Sequence, residues 1–103
     1  MSRDGHTIEA AGGTIRIEGD ALSGLVVTAA ELVDGARVRR PRRGLDVSVQ
    51  DGRVRVSVEL VARYGAALPK LGTAVQTGVS EALSAATGLA VDAVDVAIEE
   101  LEQ

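Results

Sequence analysis

Two adjacent residues, Asp51 and Gly52, constrain this chain more than any others. An Asp-Gly pair tolerates positive φ at both centres, which a two-residue hairpin loop needs if its twist is to match the flanking strands. With these two as the loop, Gln50 faces Arg53, Val49 faces Val54, Val47 faces Val56 and Leu45 faces Val58. On the opposite side, Asp46 faces Ser57 and Ser48 faces Arg55. Apolar residues meet apolar residues, polar meet polar, and a slip of one residue undoes every match. The second strand then runs on: Val54, Val56, Val58, Leu60 and Ala62 alternate with Arg53, Arg55, Ser57, Glu59 and Arg63, the period of a strand with one buried face.

Tyr64-Gly65 ends that strand, with the ring expected to cap the core and Gly65 to permit the turn. A long helix follows. Pro69 suits its first turn, where a missing N–H loses no partner. Leu68, Leu71, Val75, Val79, Ala82 and Ala86 recur at spacings of three and four and give one apolar stripe. Gly88 is placed to close the helix, with Leu89 folding back on Leu83 as in a Schellman ending. Gln76 lies beside the stripe, where a buried amide would need partners, so it is a candidate for a helix–sheet or subunit hydrogen bond. Gly72 and Gly78 lower the helix propensity by about 1 kcal/mol each and permit close approach of another backbone.

The remaining elements are shorter. Residues 1–13 are polar and glycine-containing and read as a flexible arm, with His6, the sole histidine, expected in solvent. Residues 14–18 alternate as a strand with Ile15 and Ile17 inward. Asp20 is a good N-cap for a helix whose face is Leu22, Leu25, Val26, Ala29, Leu32 and Val33 and whose end is Asp34-Gly35. A short strand with Val38 inward follows, and Val94, Val96 and Ile98 mark the last strand, trailing into an acidic tail. With 103 residues, 14–103 reads as a single α+β domain. Its architecture is a two-layer sandwich, a mostly antiparallel sheet with two helices on one face, in the order β-α-β-β-β-α-β.

Composition excludes several functions. The chain has no cysteine, so there is neither a disulfide framework nor a thiolate metal site. Tyr64 is the one aromatic residue and the net charge is −4, which together argue against nucleic-acid binding. No run approaches the ~20 apolar residues of a membrane span, so direct membrane insertion is not expected, and a cytoplasmic location is. No Gly-rich phosphate loop, no nucleophile paired with a base and no calcium-loop spacing occurs. The chain is therefore expected to have no catalytic residue, metal or cofactor. On a strand Asp92 points away from Asp95, so the carboxylates near the end read as a solvated edge.

One feature is not accounted for by folding. Arg37, Arg39, Arg40, Arg42 and Arg43 crowd around Pro41, which cannot sit in a central strand. Two readings stand. The cluster is a contact for an anion or an acidic partner, or it is a charged loop that keeps an edge strand from pairing with strangers.

The run Tyr64-Gly65, Leu68-Pro69, Val75-Gln76, Val79, Thr87-Gly88-Leu89, Val91 and Val94-Asp95-Val96 resembles the alkaline-shock-protein family, the envelope-stress and general-stress proteins of Gram-positive bacteria. The resemblance covers the chain from about Gly12 onward and is weaker upstream. It departs from the family at Asp95, where Asn is common, and in the arginine-rich loop. The resemblance implies a small α/β domain without catalysis, in a cytoplasmic protein that self-associates into a homo-oligomer. Some members sit beneath the membrane through a small membrane-anchoring partner, in cell-envelope homeostasis. DNA is not an expected partner. The other reading is a small RNA- or anion-binding module using residues 37–43.

Overall fold

The computed structural model describes residues 6–10, 12–17, 19–39, 45–63 and 65–100. In chain order the elements are β1 (His6–Ala10), β2 (Gly13–Ile17), α1 (Gly19–Glu31), β3 (Ala36–Val38), β4 (Asp46–Gln50), β5 (Arg53–Ala62), α2 (Leu68–Thr87) and β6 (Ala90–Glu100). The strand with the longest alternation, β5, takes the centre of the main sheet. It pairs antiparallel with β3 and β4 and parallel with β6. Since β6 runs beside β5 from Arg53 to Ala62, β3 and β4 must share the other edge. Arg39 N–H donates to the Glu59 carbonyl (2.9 Å) and Asp46 pairs Ser57, so β3 and β4 lie end to end with only Val58 between the two pairings.

The parallel pairing of β5 with β6 follows from what joins them. A parallel pair needs a crossover, and α2 is that crossover. Its 20 residues rise about 30 Å, close to the length of β5, so the chain returns to the start of the strand it left. α2 packs on β6 and on α1, and α1 packs on β3 and β4, so both helices cover one face of the sheet. Val54, Val56, Val58, Leu60 and Ala62 point into that layer at 2% exposure or less and meet Val26, Val75, Val79 and Leu83 in one core.

The hairpin register is the expected one: Gln50↔Arg53, Val49↔Val54, Ser48↔Arg55, Val47↔Val56 and Asp46↔Ser57. Leu45 lies outside β4, half-buried, and makes no ladder pair with Val58. The loop has φ of 54° at Asp51 and 73° at Gly52. A Cβ at Gly52 would meet nothing within 4 Å, so only backbone conformation is at stake there. Gly52→Val is expected to lower stability by ~1–2 kcal/mol, read as a lower urea midpoint at unchanged slope.

Three local expectations are corrected. The stretch expected as a flexible arm contains β1, which pairs antiparallel with β2 from His6↔Ile17 to Ala10↔Gly13. Its Thr7-Ile8-Glu9 alternation is too short to stand out in a sequence, and Ile8 is buried. Leu32, assigned to the buried stripe, is 82% exposed, because α1 ends at Glu31 and the chain turns before it reaches the core. α2 ends on a single bond, Gly88 N–H to the Ser84 carbonyl (2.8 Å), with Gly88 left-handed at φ 73°. That bond is the αL ending rather than a Schellman pair, and Leu89 N–H donates instead to Thr87 Oγ1 (3.1 Å), whose hydroxyl donates to the Leu83 carbonyl (2.8 Å). The expectation for Gly78 holds: the backbone it admits is that of α1 in the same chain, since a Cβ there would lie 3.8 Å from the Ala29 carbonyl oxygen.

Candidate functional site

The sheet face away from the helices is polar because β5 alternates. Arg53, Arg55 and Ser57 are exposed there, and Glu59 is half-buried. Neighbouring strands supply carboxylates to these cations. Arg39 bonds Glu99 of β6 through its Nη1, and its Nε lies 3.9 Å from Glu59 Oε1, so one guanidinium spans all three strands. Arg53 bonds Asp92 at 3.1 Å. Asp92 is the extra residue where the β5–β6 register shifts, and that irregularity brings it within reach of Arg53 rather than leaving it directed away from its neighbours. These pairs are about half exposed or more, a setting in which an ion pair contributes ~0.2–1 kcal/mol. Arg39→Ser is accordingly expected to cost less than about 1 kcal/mol in a urea titration, with most of that loss disappearing at high salt.

The expected arginine cluster is thus divided. Arg37 is exposed on β3, and Arg39 is committed to two carboxylates of its own chain. Arg40, Arg42 and Arg43 lie outside the described residues, as does Tyr64. At the edge itself, Val38 N–H donates to Glu31 Oε2 (2.9 Å), so a carboxylate from the end of α1 covers a backbone donor of β3.

The other edge differs. Among the described residues β6 pairs with β5 alone. Gln76 is exposed rather than buried, and its Nε2 donates to the Val94 carbonyl at 3.1 Å, which makes the helix–sheet bond expected of it. Pro69 stands at the first turn of α2, and Gly88 at its end. Gly65, at φ 89°, turns the chain between β5 and α2, and its N–H donates to Glu100 Oε2 (2.9 Å). Alongside Gln76 a groove of about 440 Å3 opens between α2 and the first half of β6. Its walls include Thr77 and Glu81 on the helix and Asp92 and Val94 on the strand, with no residue of β5. Sequence reasoning missed it because a groove depends on how a helix overhangs an edge, which periodicity does not encode.

Among the described residues, no three of His, Cys, Asp and Glu group so as to hold a metal ion. Among the described residues, no helix is long and apolar enough to cross a membrane.

Residues 21–103 match the alkaline shock protein 23 family, whose description is a cell envelope-related function. No curated protein matches the sequence. The fold is similar to that of the MamM CTD. A zinc form of that domain is 17% identical at a TM-score of 0.56, over 82% of this chain and 87% of that one. A nickel form is 18% identical at 0.54, over 81% and 99%. At that identity the likeness concerns the fold.

Proposed function

We propose, because the chain belongs to the alkaline shock protein 23 family, that it is a non-enzymatic envelope-stress protein that works by holding other proteins. In this reading it self-associates as a scaffold, or joins a membrane-anchoring partner as an adaptor, on the cytoplasmic face of the membrane. The observation that carries the reading is the family match across residues 21–103, whose description is envelope-related. The surface chemistry is in keeping with it. Arg39 and Arg53 are engaged in ion pairs across the sheet, and the groove beside Gln76 runs along a strand edge, where a protein segment docks more readily than a small substrate. An anion- or RNA-binding module has less behind it, since Arg39 is already held by Glu59 and Glu99.

The test is fractionation of the cells that make the protein. Recovery with the membranes, release by alkaline carbonate, and loss of rebinding after protease treatment of the stripped membranes are expected. Full recovery in the unsedimented fraction under envelope stress, with no crosslink to itself or to a membrane protein, would contradict it.

A further inference from the structure

The apolar row of β6 is only half covered. Val94, Val96 and Ile98, in register with Val56, Val58 and Leu60, share the face turned to the helix layer. Their β5 neighbours are 2% exposed or less, whereas these three are half-buried. The cause is the edge: among the described residues no strand pairs with the outer side of β6. A long open edge is normally covered or blunted. From Ala93 to Glu99 each residue pairs with β5 without a break, since the register shift comes before Ala93. That stretch is therefore regular enough to extend the ladder by one more strand.

The residues of that stretch identify the occupant. A twofold axis normal to the sheet sets two copies of β6 antiparallel, with the helices of both on one face. Only the centre of the pairing is then open. Centred on Val96, the helix face pairs Val96 with Val96 and Val94 with Ile98 of the second copy. The other face pairs Asp95 with Ala97 and Glu99 with Ala93. Each carboxylate meets a small methyl group, and each branched side chain meets another. The neighbouring registers fail. A centre on Asp95 opposes two aspartates, one on Ala97 opposes Asp95 to Glu99, and one on Ile98 sets Glu100 against Val96. A centre on Val94 carries the pairing across the irregularity at Asp92. The groove agrees with the Val96 register. Ile98 of the second copy, opposite Val94 on the helix face, enters the groove that Val94 lines. On the helix wall Gln76, Thr77 and Ser80 are uncharged, and Glu81 alone is charged. Gln76 uses one lone pair of the Val94 carbonyl and leaves the second.

We infer that β6 is the interface between two copies of this chain, paired antiparallel about Val96 into one continuous sheet. The inference deepens the scaffold form of the proposed function by naming its surface, and rests on it for self-association. Electrostatics opposes the contact. Asp95 lies diagonal to Asp95 and Glu99 of the second copy, and each chain has a net charge of −4, so salt is expected to tighten the dimer.

The test is sedimentation equilibrium of the full chain and three variants, at low and at high salt. Only the Val96 register makes residues 95 and 97 direct opposites, and both are exposed, so substitutions there leave the core untouched. Ala97→Glu sets a carboxylate against Asp95 twice in each dimer and is expected to raise the dissociation constant about tenfold or more. Ala97→Lys is expected to lower it about threefold or more. Adding Asp95→Lys to Ala97→Glu turns both repulsions into attractions and is expected to bring the constant back to the parent value or below. Circular dichroism checks that each variant is folded. In the parent, amides from Val94 to Ile98 are expected to exchange more slowly as concentration rises. An oligomer indifferent to Ala97→Glu, a double variant that is not rescued, an association weakened by salt, or β6 amides that exchange alike at every concentration would each overturn the interface and leave self-association standing. A strict monomer under all conditions would overturn both.

Discussion

Leu60→Ala is expected to lower the unfolding free energy by about 2–5 kcal/mol. Leu60 is 1% exposed and among the largest fully buried side chains. It lies on β5 in register with Val38 of β3 on one side and Ile98 of β6 on the other. Truncating it removes apolar area and leaves a cavity where three strands meet, a place the backbone ladders on both sides keep from collapsing. With no phenylalanine or tryptophan anywhere in the chain, no bulky ring is at hand to swing into the space. Against a typical total of ~5–15 kcal/mol, this is a large fraction. Urea unfolding followed by far-ultraviolet circular dichroism measures it, since one tyrosine and no tryptophan give little fluorescence. Ala97→Ser, on the exposed face of β6, is the control and is expected to stay within about 0.5 kcal/mol.

Val75→Asp is expected to be at least as severe at neutral pH and to recover in acid. Val75 is 0% exposed, midway along α2, in the layer facing β5. A carboxylate there loses its hydration with no buried cation among the described residues to compensate, so its folded pKa must rise above the ~3.9 of the unfolded chain. The sign follows from proton uptake. Between those two values the folded state binds more protons than the unfolded state, so stability falls as pH rises through that window. Below the unfolded value both states are protonated, and the remaining deficit is that of a neutral polar group in an apolar layer. The difference in unfolding free energy from the parent is therefore expected to shrink steadily from pH 7 to pH 4. A difference independent of pH would place the introduced side chain in solvent, and position 75 outside the core.

These effects follow from features that could be read before any coordinates. The Asp51-Gly52 loop imposed a register, and each pair from Gln50↔Arg53 to Asp46↔Ser57 agrees with it, because only one register puts every valine on one face. Leu68–Thr87 was legible for a similar reason: Pro69 at one end and a left-handed Gly88 at the other leave little freedom in where the helix starts and stops. What failed was local or relational. Leu32 fits the stripe of α1 by spacing but lies past the helix end, so periodicity assigned it to a core it does not reach. β1 went unread because it carries a single large apolar residue, Ile8, whereas β2 shows its alternation through Ile15 and Ile17. The arginine cluster looked like one feature in sequence, yet Arg39 belongs to a cross-sheet ion pair with Glu59 and Glu99 that joins positions far apart in the chain. The groove beside β6 comes from the packing of α2 against an edge, and no single stretch of sequence contains it.

The central proposal, in its scaffold form, is that this domain acts by assembling with itself. The measurement that tests it most directly is size-exclusion chromatography with light scattering across a concentration series, at low and at high salt. The account predicts a mass that grows with concentration beyond the 10.6 kDa of one chain. A mass fixed at one chain at every concentration and both salt levels would contradict it.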